Sequence, residues 1–150
     1  TPFTVIIDYA HTPDAILNLL SAVKATTKGR IIALFGCGGE RDRAKRSVMG
    51  RICAENADFL VVTSDNPRSE NPYKIIHEIL KGMENTETSF AVIEDRKKAI
   101  EFSLSIAGEG DTVILCGKGH EDYQITSQGK IHFDEREIVY NSIKMNNYLK

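Results

Sequence analysis

The stretch Phe59-Leu60-Val61-Val62-Thr63-Ser64-Asp65-Asn66-Pro67-Arg68 decides how this chain folds. Its first four residues are apolar and largely β-branched, which predicts a buried strand over 59–62. Asn66 precedes a proline, which disfavours helical backbone angles, so the chain turns there instead of continuing. The turn gathers a carboxylate, an amide and the planar guanidinium of Arg68, which suits a carboxylate or a phosphate. The alternative is that these side chains only stabilise the turn.

Apolar strands of this kind recur along the chain and alternate with helices. The strands are predicted at 4–7, 30–35, 59–62, 89–93 and 112–116; the helices are predicted after Thr12, Ser47 and Asn71, over about 95–107, and after Asp134. Residues 123–126 and 130–133 predict a hairpin around 127–129. Such alternation is typical of βαβ units. We therefore predict an α/β fold, a Rossmann-like three-layer sandwich whose sheet is mostly parallel, with an antiparallel hairpin near the C-terminus.

Two helices carry more detailed expectations. The helix capped by Ser47 is expected to bury its apolar residues, which are Val48, Met49, Ile52 and Cys53. Asp134 is followed by Glu137 three residues later, and this spacing predicts a capping box at the start of the last helix.

Length and composition are those of one globular domain. The chain has 150 residues, of which 41% are hydrophobic and 27% charged, with a net charge of −2. This balance argues against a general nucleic-acid or membrane-surface binder, and no apolar run approaches the roughly 20 residues that span a bilayer. The start at Thr1-Pro2-Phe3, without initiator methionine or signal peptide, suggests a cut between domains. We expect a cytoplasmic protein.

The three cysteines predict neither a disulfide framework nor a zinc site. Cys37, Cys53 and Cys116 are an odd number and lack CxxC spacing. They are expected to pack as small apolar residues.

The most unusual polar residues fall in four loops that follow strand ends. These loops are 8–13, 36–46, 64–70 and 117–122. In an open parallel sheet the carboxyl ends of the strands share one edge, and ligands bind in the crevice there. The sequence therefore predicts a single binding site to which all four loops contribute.

The loop at 36–46 combines three glycines with four cations. Glycine lets backbone N–H groups approach an anion, and the cations Arg41, Arg43, Lys45 and Arg46 add positive charge. The loop matches neither the Walker pattern nor the dinucleotide fingerprint. A solvated, salt-bridged loop is the alternative, but glycines at a strand end favour anion binding.

The loops with histidines leave more than one interpretation open. In 117–122, glycines allow close approach of the backbone to a ligand, and Glu121 with Asp122 could receive an ammonium group. His120 could be a general base, although a lone histidine in a turn is more often structural. His11 could serve a nucleotide or brace the helix cap. No nearby serine or cysteine pattern suggests a triad, and His77 and His132 are expected at the surface.

Taken together, these motifs resemble the C-terminal domain of the muramyl ligases. The resemblance spans essentially the whole chain, with its motifs in the expected order: Asp8-Tyr9-Ala10-His11-Thr12-Pro13-Asp14, Phe35-Gly36-Cys37-Gly38-Gly39 with Arg41-Asp42 and Lys45-Arg46, Asp65-Asn66-Pro67-Arg68, and Gly117-Lys118-Gly119-His120-Glu121-Asp122-Tyr123-Gln124. The last two motifs together resemble the branch of the family that adds meso-diaminopimelate.

The resemblance implies that residues 1–150 form one domain of a three-domain, ATP-dependent ligase of peptidoglycan synthesis. ATP phosphorylates the γ-carboxylate of UDP-N-acetylmuramoyl-L-alanyl-D-glutamate, and an amino group of meso-diaminopimelate attacks the acyl phosphate. The UDP-sugar domain and the central domain, which binds ATP and Mg²⁺, lie outside this chain. The isolated domain is expected to fold as a monomer, to hold no catalytic residue and no metal, and to lack ligase activity.

The resemblance also implies roles for individual residues. The amino-acid site maps to Arg41, Asp65, Asn66, Pro67, Arg68, Gly117 and Glu121, and the nucleotide site to Asp8, His11 and Lys45. Meso-diaminopimelate carries two carboxylates and two ammonium groups, so Arg68 is expected to hold a carboxylate and Glu121 an ammonium group. L-lysine would leave Arg68 unpaired against a nearby ammonium group, which favours diaminopimelate by about a thousandfold or more. A lysine-adding ligase of the same family and a stand-alone nucleotide or amino-acid binding module are the alternatives.

Overall fold

Five parallel strands form the central sheet of the computed structural model, which describes residues 2–146. They are β1 (Thr4–Asp8), β2 (Ile31–Phe35), β3 (Phe59–Val62), β4 (Ser89–Val92) and β5 (Thr112–Cys116). Their spatial order is β1-β5-β2-β3-β4. Strands β2 and β5 are buried along their whole length, as expected for a parallel sheet covered on both faces. Thr1, at the start of the chain noted above, lies outside the described residues, as do residues 147–150.

Helices cover both faces of the sheet. Helices α1 (Pro13–Lys24), α2 (Ala44–Asn56) and α3 (Pro72–Lys81) pack on one face, and α4 (Arg96–Ile106) and α5 (Glu135–Met145) on the other. Side chains alternate along each strand, so Ala33 and Phe35 pack on the first face while Ile32 and Leu34 pack on the second. The predicted three-layer α/β fold with a mostly parallel sheet is confirmed.

The predicted hairpin near the C-terminus is also confirmed. Strands β6 (Tyr123–Thr126) and β7 (Gly129–His132) pair antiparallel. The second strand begins at Gly129, so the connecting loop is one residue shorter than predicted. The φ of Gly129 is 113°, which lies in the region that favours glycine. The Arg68 amide donates to the Ile125 carbonyl at 3.0 Å, which ties the hairpin to the loop after β3.

The helix starts agree with the sequence in most places. The side chains of Thr12, Asn71, Asp95 and Asp134 all accept a backbone N–H and cap their helices. Glu137, however, does not complete the predicted capping box, because its carboxylate contacts His132 at 2.9 Å. His132 and His77 are exposed, as predicted.

The start predicted for α2 is wrong. The helix begins at Ala44, whose amide is held by the Asp42 side chain at 3.0 Å, and Ser47 lies within it. Its inward positions are therefore occupied by Arg46, Met49, Gly50, Cys53 and Ala54. Met49 and Cys53 are buried as predicted, but Val48 is exposed because it falls outside this stripe.

Within residues 2–146, no helix combines the length and the apolar character needed to cross a membrane. All three cysteines are free and buried, in agreement with their predicted role as apolar packing groups.

Candidate functional site

A cleft of about 560 Å³ opens at the carboxyl edge of the sheet. The strand order places the loops after β1, β5, β2 and β3 side by side along that edge. Every site residue predicted from the sequence lines this cleft except Asp8 and Pro67: Arg41, Asp65, Asn66, Arg68, Gly117 and Glu121, together with His11 and Lys45. The four loops therefore contribute to one cleft, as their positions after the strands predicted.

The two exceptions shape the walls of the cleft. The Asp8 carboxylate accepts a hydrogen bond from the Ala10 amide at 2.8 Å, and the Asp8 carbonyl accepts one from the Gly117 amide at 3.0 Å. Pro67 is buried, and its carbonyl accepts the Glu70 amide at 3.1 Å. Both residues hold loops in place, and neither is among the residues that line the cleft.

Two carboxylates form a negative end of the cleft. Asp65 and Glu121 have side chains that are 17% and 14% exposed. Glu121 accepts a hydrogen bond from the Tyr123 hydroxyl at 2.9 Å, which raises the pKa of that phenol. The Oδ1 atom of Asp65 is buried and has no hydrogen-bond partner within the described residues. It lies 3.9 Å from Arg96 Nη1 and from Lys118 Nζ, so two buried cations face this oxygen. Only the accessible part of the Asp65 side chain can therefore meet a ligand ammonium group.

Gly117 lies directly beside this carboxylate. A Cβ atom added to it would lie 3.4 Å from Asp65 Oδ1, and its φ of 114° is unfavourable for other residues. Glycine here therefore allows the strained turn after β5 and keeps the space beside Asp65 open.

Arg68 adds a positively charged group to the lining of the cleft. Its backbone is left-handed, with a φ of 54°, which is rare and strained for a residue with a side chain. Its Nη1 atom donates to the Gly39 carbonyl at 2.8 Å and to the Asn66 carbonyl at 3.3 Å. The guanidinium makes no ion pair within residues 2–146, so its Nε and Nη2 atoms can serve a ligand carboxylate.

The glycines after β2 have a packing role that the sequence did not indicate. The Gly39 amide donates to the Asn66 carbonyl at 2.8 Å. Side chains at Gly36 and Gly39 would collide with the backbone of Thr63 and Pro67. These glycines therefore let the loop after β2 pack against the loop after β3, which differs from the anion cradle that the sequence favoured.

The four cations of this loop divide into two groups. Arg46 is buried and contacts Glu70 at 2.7 Å and Glu78 at 2.8 Å, and Arg43 also pairs with Glu78. These hydrogen bonds lower the pKa of Glu78 to about 2. The salt-bridged alternative therefore describes Arg43 and Arg46. Arg41 and Lys45 instead line the cleft and have no ion pair in the part of the chain that the structure describes.

An aromatic cluster forms one lip of the cleft. Tyr9 stacks on His120 with a ring separation of 5.2 Å and meets His11 edge-on at 4.6 Å. The His11 Nδ1 atom lies 2.8 Å from the Tyr9 carbonyl, which can only accept, so Nδ1 carries a proton in this contact. The Nε2 atom has no hydrogen-bond partner in the part of the chain that the structure describes. His120 is exposed and belongs to this stack, which favours its structural interpretation over that of a general base.

The sequence did not predict a group of buried charged residues next to the cleft. Arg96 donates to Glu135 at 2.9 Å, to the Ser64 carbonyl at 3.0 Å and to the Cys116 carbonyl at 2.9 Å, so it ties the ends of β3 and β5 to α5. Burial alone would lower the pKa of Arg96, but Glu135 and Asp65 raise it above its usual value. The sequence does contain one sign of this role. Arg96 directly follows the N-cap Asp95, where a cation is unfavourable with respect to the helix dipole and so suggests a specific partner.

Lys118 is the second buried cation. It bonds Asn66 Oδ1 at 2.8 Å and the Tyr123 carbonyl at 2.9 Å. Burial lowers its pKa, against the opposing effect of Asp65 and Glu121. Its motif was recognised in the sequence, but no role was expected for the lysine itself.

Metal-binding side chains do not cluster within residues 2–146. No group of three or more histidine, cysteine, aspartate or glutamate residues there is placed to hold a metal ion.

The chain is similar to known ligases along nearly its whole length. Residues 1–119 match the family described as Mur ligase, glutamate ligase domain. The UDP-N-acetylmuramoyl-L-alanyl-D-glutamate--2,6-diaminopimelate ligase of Clostridium perfringens is 51% identical over 143 residues, which are 95% of this chain and 29% of the relative. This chain thus spans less than a third of the length of that relative.

Two solved structures are also similar to this chain. A structure of UDP-N-acetylmuramoyl-L-alanyl-D-glutamate--2,6-diaminopimelate ligase superposes with a TM-score of 0.94 at 37% identity, covering 98% of this chain and 30% of that one. The bifunctional folylpolyglutamate synthase/dihydrofolate synthase of Yersinia pestis, complexed with AMPPNP and a Mn ion, shares the fold with a TM-score of 0.58 at 21% identity, covering 75% of this chain and 25% of that one.

Proposed function

The chain belongs to the Mur ligase family through its glutamate ligase domain, and we propose that it is the C-terminal domain of a three-domain, ATP-dependent ligase. In this proposal the domain binds meso-diaminopimelate, and the complete enzyme joins it to UDP-N-acetylmuramoyl-L-alanyl-D-glutamate in peptidoglycan synthesis. The reaction forms an amide bond at the expense of ATP. A reaction that consumes ATP also fits the cytoplasmic location expected from the sequence.

The observation that carries the proposal is that charged groups of both signs line one cleft. Asp65 and Glu121 contribute carboxylates, and the Arg68 guanidinium keeps two nitrogens without a hydrogen-bond partner among residues 2–146. A diamino dicarboxylic acid carries groups of both signs and can pair with both kinds of residue at once. Arg41 lies in the same cleft without an ion pair among the described residues and can hold the second carboxylate.

The same geometry argues against L-lysine as the amino acid. L-lysine lacks the second carboxylate, so Arg68 would gain no partner when it binds. Arg68 is half-buried and already bonds the Gly39 carbonyl. Leaving its guanidinium without a ligand carboxylate therefore costs less binding free energy than it would for a fully buried charge. We therefore expect selectivity of about 10- to 100-fold, below the value that a buried arginine would give.

The aromatic lip and Lys45 fit a nucleotide better than an amino acid. Tyr9 and His11 offer ring surfaces and a free Nε2 atom for an adenosine, and the ammonium group of Lys45 suits a phosphate. ATP supplies the phosphoryl group that activates the D-glutamyl carboxylate. We propose that this domain contributes only a few contacts to the bound ATP. We assign Mg²⁺, most of the ATP site and the UDP-sugar substrate to the other domains of the enzyme, and we propose that the chain acts as a monomer.

The test is a titration of this chain with meso-diaminopimelate and with L-lysine, followed by backbone amide chemical shifts. We expect shifts confined to 36–46, 64–70 and 117–122 with meso-diaminopimelate, and 10- to 100-fold weaker binding of L-lysine. Equal binding of the two amino acids would refute the selectivity. Binding of ATP with no response to either amino acid would instead favour a stand-alone nucleotide-binding module.

Arg68→Ala tests the residue that carries the selectivity. We expect meso-diaminopimelate to bind about 10- to 100-fold more weakly and L-lysine to bind nearly as before. Arg51→Ala is the matched control, because Arg51 is exposed on α2 and, among the described residues, pairs only with Glu55 at 4.0 Å. An Arg68→Ala domain that still prefers meso-diaminopimelate by the original factor would contradict the assignment.

A further inference from the structure

Lys118 lies directly behind the wall of the cleft, between the loop after β3 and the β6–β7 hairpin. Its side chain is fully buried, and its Nζ atom donates to Asn66 Oδ1 at 2.8 Å and to the Tyr123 carbonyl at 2.9 Å. Asp65 Oδ1 and Glu121 Oε1 each lie 3.9 Å from Nζ. Lys118 is not among the residues that line the cleft, so it can influence a ligand only through these neighbours.

The first of these neighbours, Asn66, has an amide whose orientation is fixed by its partners. Its Oδ1 atom faces Lys118 Nζ and, at 3.0 Å, the Ile125 amide. Both partners can only donate, so the oxygen must point toward them and the nitrogen Nδ2 must point away. Nδ2 has no partner within the described residues, and Asn66 lines the cleft. Asn66 therefore presents N–H donors next to Arg68, where they suit a ligand carboxylate.

Lys118 also places a positive charge behind the negative end of the cleft. Four oxygen atoms surround its Nζ atom and favour the ammonium form. This charge offsets part of the negative potential that Asp65 and Glu121 present to a ligand. L-lysine carries a net positive charge at neutral pH, whereas meso-diaminopimelate is neutral overall. The buried ammonium group therefore disfavours L-lysine more than meso-diaminopimelate.

We propose that Lys118 is a positioning residue that sets the selectivity of the cleft for a diamino dicarboxylic acid over a diamino monocarboxylic acid. It acts in two ways, by holding the Asn66 amide with its donors toward the ligand carboxylate and by limiting the attraction of the negative end for surplus positive charge. This inference rests on the proposed function, because it concerns the same cleft and the same amino acid.

The test compares Lys118→Met with the wild-type chain. Methionine has similar length but neither charge nor donor, so the Asn66 oxygen loses one of its two partners. We expect the ratio of the L-lysine Kd to the meso-diaminopimelate Kd, measured by chemical-shift titration, to fall about tenfold. A purely structural role would weaken both ligands alike and leave the ratio unchanged. Lys28→Met is the control, because Lys28 is exposed in the loop between α1 and β2, away from the cleft.

Lys118→Gln provides a second variant in case the methionine is not tolerated. Its amide can still donate to Asn66 Oδ1 but carries no charge, so we expect the same change in the ratio with a smaller size. An unchanged ratio in a folded variant would overturn the role of Lys118 and leave the proposed function intact. A wild-type chain that binds the two amino acids equally, or binds neither, would overturn the proposed function and this inference together.

Discussion

Arg46 shows how a single charged residue can be part of the core of this domain. It occupies an inward position of α2 and is buried, yet it keeps its charge through Glu70 and Glu78. The two glutamates belong to the loop before α3 and to α3 itself, so the ion pairs tie α2 to both segments, next to the loop that carries Arg41. The role of Arg46 is therefore to hold a wall of the cleft, not to meet a ligand.

This arrangement predicts a pH dependence of stability. The pKa of Glu78 is lowered from 4.5 to about 2 by hydrogen bonds from Arg43 and Arg46. A lowered folded-state pKa gives stability that is complete above the unfolded pKa and is lost as pH falls through the folded pKa. The free energy of unfolding should thus decline between about pH 5 and pH 2.

Glu78→Gln isolates the contribution of this carboxylate. We expect the variant to be about 1–3 kcal/mol less stable at pH 7, because Arg46 loses a charged partner. The gap to wild type should narrow toward pH 2, and urea unfolding at several pH values would measure it. Glu55→Gln is the control, since the one ion pair of Glu55 within residues 2–146 is with Arg51 on an exposed helix face. A gap that stays constant with pH would contradict the assignment.

At the scale of elements, α4 and α5 are joined by a buried ion pair. Arg96 and Glu135 are the first residues of their helices, and neither side chain is accessible to solvent. The Oε1 atom of Glu135 has no hydrogen-bond partner within the described residues. The position of α5 therefore depends on a charge pair whose removal from water is only partly compensated by hydrogen bonds.

Removing one partner of this pair should be much worse than removing both. We expect Arg96→Met to destabilise the chain by about 3–5 kcal/mol, because it leaves Glu135 as an unpaired buried charge. The double variant Arg96→Met/Glu135→Leu should recover a large part of that loss. Urea unfolding would measure both variants, with Lys97→Met as the control on the same helix, because Lys97 is exposed. A double variant less stable than the single one would refute the argument.

The same elements show which features could be predicted from the sequence. Strand and helix order followed from local patterns such as Phe59–Val62 and the N-cap at Thr12, because each pattern is complete within a few residues. The start of α2 did not, since Ser47 was an acceptable cap but Asp42 supplied the hydrogen bond that begins the helix. Local propensity cannot decide between two such candidates.

The residues in and around the candidate site also fall into those that the sequence predicts and those that it does not. The residues that line the cleft were found because topology places loops after parallel strands at one edge. Arg96, Lys118 and Glu135 were missed because their partners lie 20 or more residues away in sequence, apart from Tyr123 and Glu121, which belong to the motif of Lys118. Their role depends on tertiary contacts that no local pattern records. The packing role of Gly36 and Gly39 was missed for the same reason.

At the scale of the whole molecule, the lining of the cleft consists mainly of charged and aromatic groups. Charged residues of both signs line it, and His11, the histidine in this lining, belongs to the aromatic lip. Burial raises the pKa of the Cys37 thiol to about 12, so the one sulfhydryl among the residues lining the cleft is a poor nucleophile. This is the composition expected of a domain that presents one substrate to a reaction centre formed with other domains.

We therefore predict that this chain alone has no ligase activity and hydrolyses no ATP in response to the UDP-linked substrate. The chain spans only 29% of the length of the Clostridium perfringens relative, and the proposal assigns most of the ATP site to other domains. Phosphate release would be measured with ATP, Mg²⁺, UDP-N-acetylmuramoyl-L-alanyl-D-glutamate and meso-diaminopimelate, with the complete Clostridium perfringens enzyme as the positive control. Turnover by this chain that disappears in Arg68→Ala would contradict the prediction, because it would place the reaction centre in this cleft. Binding of meso-diaminopimelate without turnover would agree with a domain that selects the amino acid and leaves its activation to the rest of the enzyme.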